Sequence, residues 1–492
     1  MTPSTLQLDI YQEFVNTDNS LSIEASAGSG KTTTILDCFK LLPDDVTSVF
    51  LAFNNFTVDE TKKKVGTNYP VEIKTLHSLG YSFLKHKYPK SKMNKDKVIK
   101  KIEIYCAKNK VERKKKFYYF FVVRRIVDLA RLNFVRTYDE IDELCSLHDI
   151  ICEEADIVVA MDILFMIERD VTQFDFCDML YFPVFDETIR VRKYDYVFVD
   201  ECQDLSTVQI MLLKRILKPD TRLISVGDKN QAIYGFAGAN AESYDKLKNL
   251  IDGTINLPLS ICYRCGTDIV LEAQKVVSEI QPSPFQVKGN VTNGSLKDLK
   301  EGDWVLCRNV KPLVQLCLHL IKCGIKSKVK GKDIGVGLTL LINNIGSTSI
   351  FSLKSKLDKG YENLVENLSA KGVENPKDHP KAISYWQKMD IILFLATGMN
   401  DMKSLLKKID TIFSDKVDGI VLSTIHKSKG LENDRIFFLL PELIPSRYAT
   451  QPWQRQQERN LKFIAITRAK KELIYVYDNQ WKVDLTELIQ LN

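Results

Sequence analysis

Tyr196-Val197-Phe198-Val199-Asp200-Glu201-Cys202-Gln203-Asp204 decides the fold class. Four apolar residues, half of them β-branched, run directly into adjacent carboxylates. A run of that length and composition predicts a buried parallel strand, with the carboxylates at its C-terminal end. Leu223-Ile224-Ser225-Val226 repeats the pattern and runs into Gly227-Asp228-Lys229-Asn230-Gln231-Ala232-Ile233-Tyr234-Gly235-Phe236-Ala237-Gly238-Ala239. Open α/β sheets keep their ligand sites at that strand end. One polar cluster can hold a metal and activate a water; the other sets a glutamine beside two aromatics.

Working outward, strand-like runs occur at Leu21–Glu24, Val49–Phe53 and Val71–Lys74 before this stretch. Others occur at Trp304–Cys307, Ile420–Ser423, Arg435–Leu440 and Leu473–Tyr477 after it. Helix-periodic segments separate them, which is the β-α alternation of covered parallel sheets. A chain of 492 residues exceeds one core, so several domains are expected. The expected organisation is α/β. A first parallel-sheet domain comprises 1–84 and 186–259, with a charged helical insertion at 85–185. A second comprises 260–337 and 416–492, with a shorter helical insertion at 338–415 and a loop at Ser369–Pro380.

Bulk properties narrow the function classes. Hydrophobic content is 45%, and no run of eighteen apolar residues offers a membrane span. The N-terminal stretch lacks a secretory pattern, and eleven scattered cysteines suit a reducing compartment, cytoplasmic or nuclear rather than secreted. Cys262-x-x-Cys265 has no second pair at zinc spacing. Net charge is +6, but fourteen of the Lys and Arg residues fall between Lys85 and Lys116 against three acids. That run reads either as a solvated helical face or as a phosphate-contacting patch.

The chemistry starts at Ala25-Ser26-Ala27-Gly28-Ser29-Gly30-Lys31-Thr32, between a strand and a helix. Small residues let backbone N–H groups wrap phosphates at the helix N-terminus, Lys31 reaches the β/γ-phosphates, and the Thr32 hydroxyl ligates Mg²⁺. Asp200 is expected to hold Mg²⁺ through its water shell, and Glu201 to orient and deprotonate the attacking water. Phosphoryl transfer also needs positive charge at the γ-phosphate, for which Arg264 and Arg468 are the candidates. Both lie in the second half of the chain, so ATP is expected to engage both α/β domains.

Eight blocks then carry a resemblance. They are Ala25–Thr32, Leu51–Val65, Thr75–Ser78, Asp200–Asp204, Gly227–Ala239, Tyr263-Arg264, Ser423–Glu432 and Glu458–Lys470. In this order the chain resembles a superfamily 1 helicase of the UvrD/Rep kind, with wording similar to the F-box DNA helicase branch but no F-box. The resemblance implies two RecA-like P-loop NTPase domains. The first insertion would be the helical 1B domain and the second a reduced 2B domain. It also implies that the phosphate-loop residues through Thr33 bind ATP. Gln7 would read adenine, with Gln12 as the alternative, and Tyr263 would stack on it. Gln231 would sense the γ-phosphate, and Gly430 and Glu432 would reach the ribose. Phe53, Tyr234 and Phe236 are implied as base-stacking side chains on single-stranded DNA, with Asn55, Thr75, His77, Thr424 and His426 as further DNA contacts.

Three positions depart from the family's wording: Phe236-Ala237 for Trp-Arg, Phe56 for Lys, and Arg459-Asn460 for paired arginines. The implied activity is an ATP-dependent, Mg²⁺-using translocase and helicase on single-stranded and tailed duplex DNA, 3′ to 5′, in replication, recombination or repair. A protein partner from replication or recombination is compatible with it. The alternatives are a translocase that strips proteins from DNA without unwinding and, further off, a nucleotide-binding regulator with no motor.

Overall fold

Five of the six strands in the first sheet carry the apolar runs read from the sequence. In the computed structural model they are β1 (Leu21–Ala25), β2 (Ser48–Ala52), β3 (Val71–Thr75), β4 (Tyr194–Val199) and β5 (Leu217–Gly227). A sixth, β6 (Ile255–Leu259), completes a parallel sheet of order β3-β2-β4-β5-β1-β6. The structure describes residues 3–490 apart from 67–68, 149, 151, 236–241, 371–372, 374, 378 and 414–418. The chain divides into two units, Met1–Ser260 and Ile261–Asn492.

Strand alternation sorts the first unit's core onto two faces. Phe50, Phe198 and Ile224 join Ile10, Phe14, Ile35 and Phe39 on one face. Val49, Leu51, Val197, Val199 and Leu223 join the other, which continues without a break into Leu79, Phe83, Ile102, Ile126, Ile163 and Leu180. The helices between Leu76 and Phe185 are therefore seated on the sheet by its own core. The basic run is also not one solvated face. Lys97 is 1% exposed, 2.7 Å from Asp178, and lies over the Phe174 and Phe182 rings. Arg131 closes the cluster on Asp175 and Asp178 at 2.9 Å. Buried charge survives there because it is paired.

The second unit repeats the architecture. Its strands are β7 (Asn290–Asn293), β8 (Trp304–Cys307), β9 (Ser327–Val329), β10 (Ile420–Thr424), β11 (Asn433–Leu439) and β12 (Ala469–Val476). All pairs are parallel, in the order β7-β12-β11-β8-β10-β9. Helices Lys332–Asn344, Ile350–Ser369, Pro380–Ala396 and Met402–Ile412 share one core with this sheet, Leu338, Leu353, Ile392 and Leu405 clustering with Val305, Leu422 and Phe437. The expected loop Ser369–Pro380 falls between two of these helices, and part of it lies outside the described residues. All eleven cysteines are free thiols. Among the described residues no helix is long and apolar enough to cross a membrane.

Candidate functional site

The phosphate loop leaves β1 and enters helix Lys31–Phe39 through glycines in the left-handed region, Gly28 at φ +69° and Gly30 at φ +86°. Any other residue would be strained at these two positions. Gly30 is the N-cap, and among the described residues no side chain caps the helix. Ala27 and Ser29 are buried, and among the described residues the Ser29 hydroxyl has no hydrogen-bond partner. An unpaired buried hydroxyl beside uncapped N–H groups fits an anionic ligand with several acceptor oxygens. Thr32 is half-buried and Thr33 exposed.

Gln7 packs against this helix. Its Nε2 donates to the Thr34 hydroxyl at 3.0 Å, and its Oε1 accepts the Ser4 N–H in a capping box. Gln12, the alternative adenine reader, is exposed on the same N-terminal helix, Thr5–Asn16.

Facing the loop, Asp200 and Glu201 directly follow β4. Glu201 adopts φ +51°, an uncommon conformation for a residue with a side chain, of the kind found at functional sites. Lys31 Nζ stands 3.2 Å from Glu201 Oε1. Burial alone would lower the Lys31 ammonium pKa. Glu201, Asp228 and Asp200 together outweigh burial and hold it above its ordinary value. Burial pushes the Asp228 carboxyl up, although Lys31, the Gln231 amide and the Asn230 N–H pull it down. Gln231 is itself buried, its Nε2 donating to Asp228 Oδ2 at 2.6 Å. Asp200 and Thr32 suit a hard cation that takes its remaining oxygens from phosphate and water. Among the described residues no group of three or more His, Cys, Asp or Glu is set for a metal ion.

A second set of side chains lies further along the same sheet edge, after β2 and β3. Tyr234, from the loop after β5, stacks on Phe53, which follows β2, with centroids 5.6 Å apart and planes 16° apart. Phe53 is 37% exposed, and burial pushes the Tyr234 hydroxyl up to about 12. His77 stacks on the exposed Phe176 at 3.9 Å, and burial holds its imidazole down at about 4, so it is neutral at physiological pH. Asn55 is exposed at the start of helix Asn55–Val65. Thr75 has a local task, its hydroxyl accepting the Ser78 N–H as the N-cap of helix Leu76–Lys87. Phe236 and Ala237 lie outside the described residues.

In the second unit the expected residues separate onto two edges. Arg264 pairs with Glu432, which directly precedes β11. Arg468 directly precedes β12 and is 1% exposed. Its Nε donates to the Ile464 carbonyl at 3.2 Å, Nη1 to the Leu431 carbonyl at 3.1 Å and Nη2 to the Thr467 hydroxyl at 3.3 Å. Tyr263 is half-buried, its carbonyl accepting from Gln286, and Gly430 turns at φ +79°.

The opposite edge carries Thr424, the N-cap of a short helix, and His426, held at about 3 by burial and by the Arg308 charge. Arg308 grips the buried Glu458 with both its Nε and Nη2, the shortest contact being 2.7 Å. Arg308, Glu458, Gln203 and Asp228 were not singled out from the sequence. The signal available for Gln203 and Asp228 was their place inside the two polar clusters at strand ends.

Comparison with known proteins bears on these arrangements. Residues 9–117 and 134–252 match the UvrD/REP helicase N-terminal domain, and residues 353–480 match the UvrD-like helicase C-terminal domain. The chain is 27% identical to F-box DNA helicase protein 1 of Schizosaccharomyces pombe over 309 residues, 57% of this chain and 34% of that protein. It is 21% identical to the ATP-dependent DNA helicase Rep of Buchnera aphidicola over 607 residues, spanning 94% of this chain and 93% of the relative. Over 141 residues it is 31% identical to the ATP-dependent DNA helicase srs2 of S. pombe, 27% of this chain and 16% of that one. The chain thus spans about a third of the F-box relative and nearly all of Rep.

Proposed function

This chain belongs to the UvrD/Rep-like ATP-dependent DNA helicases of superfamily 1, and on that premise we propose that it is a DNA-stimulated ATPase that moves 3′ to 5′ on single-stranded DNA and unwinds tailed duplexes. The observation that carries the reading is the segment from Asp228 to Tyr234. Its Asp228–Gln231 end lies in the field of Lys31 and Glu201, and its Tyr234 end stacks on Phe53. Seven residues therefore join a phosphate site to an aromatic surface on which bases could stack.

In this reading the backbone from Ala27 to Thr33 and Lys31 bind the ATP phosphates. Thr32 and Asp200 hold Mg²⁺, which when bound adds positive charge at those phosphates. Glu201 takes the proton of the attacking water, and Gln231 reports the γ-phosphate to the segment that ends at Tyr234. Gln7 is assigned to adenine, Tyr263 to its face and Glu432 with Gly430 to the ribose, while Arg264 and Arg468 balance the charge of the transferring phosphoryl group. Phe53, Tyr234 and Phe236 are assigned to bases, and Asn55, Thr75, His77, Thr424 and His426 to the rest of the strand. The 85–185 and 338–415 segments correspond to a 1B domain and a reduced 2B domain. The pathway is replication, recombination or repair.

ATP turnover and strand separation measured together on 3′-tailed, 5′-tailed and blunt duplexes test this. Unwinding of the 3′-tailed substrate with DNA-stimulated turnover is expected. Brisk stimulated turnover with no unwinding would point to protein stripping, and turnover indifferent to single-stranded DNA would remove the motor altogether.

A further inference from the structure

Gln203 is buried at 2% exposure between the two strand ends of the phosphate site, and each end of its amide has a partner there. Nε2 donates to Glu201 Oε2 at 2.5 Å and, more weakly, to Asp204 Oδ2 at 3.4 Å. Oε1 accepts the Asp228 N–H at 3.0 Å. The amide orientation follows from its surroundings, because the reverse would set an oxygen against carboxylates and an NH₂ against an N–H. Gly227 shows how closely this side chain is enclosed. A Cβ there would come within 2.5 Å of Gln203 Oε1 and 2.6 Å of Cys202 Sγ.

Lys31 thus holds Glu201 by Oε1, and Gln203 holds it by Oε2. A nucleotide phosphate in the loop competes for Lys31, because a phosphate carries more charge than one carboxylate. Gln203 then keeps its hold on Glu201 Oε2 while Lys31 leaves Oε1 for the phosphate. The same amide is bonded to the first residue of the 228–234 segment.

We propose that Gln203 is a positioning residue for ATP hydrolysis: its N–H aims the Glu201 carboxylate at the water, and its carbonyl ties that aim to the strand end that begins at Asp228. The inference rests on Glu201 acting as the base.

The test compares Gln203→Ala and Gln203→Glu with the parent chain, measuring DNA-stimulated ATP turnover against ATP concentration and pH, with Glu201→Gln alongside. Gln203→Ala is expected to lose roughly 10–100-fold in kcat with little change in KM, as for other groups that orient a reacting side chain. Gln203→Glu separates positioning from scaffolding. A glutamate can still accept the Asp228 N–H, so a purely structural role would tie any loss of turnover to a matching loss of folding stability, read by chemical denaturation alongside. In the proposed role it must donate to Glu201, which it does only while protonated. Two adjacent carboxylates share a proton at low pH and lose it as pH rises. Relative to the parent, Gln203→Glu activity should therefore fall steadily with rising pH. Parent-like turnover of Gln203→Glu at every pH overturns the inference, as does a Gln203→Ala defect confined to KM. If Glu201→Gln turns over normally, the assignment of the base fails instead, and the two failures are distinguishable.

Discussion

In the unit spanning Met1–Ser260, the phosphate loop, Asp200–Glu201, Asp228–Gln231 and the Phe53–Tyr234 pair all follow strand C-terminal ends. In the unit spanning Ile261–Asn492, Glu432 and Arg468 stand just before strands begin, with Arg264 paired to the former, while Thr424 ends a strand and His426 follows it. The sheets are alike, so architecture does not account for the difference. Helix polarity does. In a β-α unit the helix N-terminus lies at the strand's C-terminal edge, where N–H groups favour anions. The helix C-terminus lies at the other edge, where carbonyls favour cations. Arg468 is the C-cap of helix Pro452–Thr467 and donates to one such carbonyl, that of Ile464, as well as to the Leu431 carbonyl in the loop before β11. The first unit's carboxylate-bearing edge and the second unit's arginine-bearing edge are thus opposite ends of the same type of sheet.

The largest expected effect tests the first unit's crowded edge. Glu201→Gln should lower ATP turnover by about four orders of magnitude and leave nucleotide binding intact, as read by steady-state rates and a fluorescent-nucleotide titration. Near-normal turnover would separate the carboxylates from the chemistry.

The two arginines come next. Both Arg264→Ala and Arg468→Ala should cut kcat by about a thousandfold if they serve the phosphoryl group. They should differ in stability. Arg468→Ala removes a buried guanidinium with its hydrogen bonds to Ile464, Leu431 and Thr467 and should cost about 1–3 kcal/mol in chemical denaturation. Arg264→Ala loses only a partly exposed ion pair, for which little or no stability loss is expected. Equal stability losses would contradict the burial contrast between them.

Phe53→Ala sharpens the division within the first unit. It should weaken single-stranded DNA binding by about 1–3 kcal/mol while ATP turnover without DNA is unchanged, measured by anisotropy and by ATPase. A matching loss of DNA-free turnover would mean that the two ends of the edge are not separable.

The smallest effect compares His77 with His426. Both imidazoles are depressed in the folded chain, to about 4 and about 3 from 6.5. Below about pH 6.5 the unfolded chain binds protons that these groups refuse, so each contributes a loss of stability as pH falls. The loss should stop growing near pH 4 for His77 and near pH 3 for His426. Melting curves of His77→Asn and His426→Asn should each be flatter in acid than the parent's; an unchanged slope would place either imidazole in solvent.

Legibility followed chemistry closely and packing poorly. The apolar runs of β2, β4, β8 and β10 are self-evident because both sheet faces are covered. The edge strands Ile255–Leu259, Asn290–Asn293 and Ser327–Val329 escaped because an edge tolerates Pro258, Asn290 or Lys328. Lys97 sits in a basic run, and only the fold shows that it points inward at Asp178. Thr75 and Thr424 stand in motif blocks, yet each hydroxyl caps a helix.

By itself the sequence determined the fold class, the order of the strands that carry motifs, and the phosphate loop with its carboxylate pair. These are local matters of strand period, glycine conformation and strand-end residues. Tertiary structure alone decided that Gln203 joins Glu201 to Asp228, that Tyr234 reaches Phe53, and that Arg468 is buried at the opposite edge from His426. Each depends on which strands are neighbours and which way a helix points. Those are set by burial over the whole unit, which no local stretch of residues encodes.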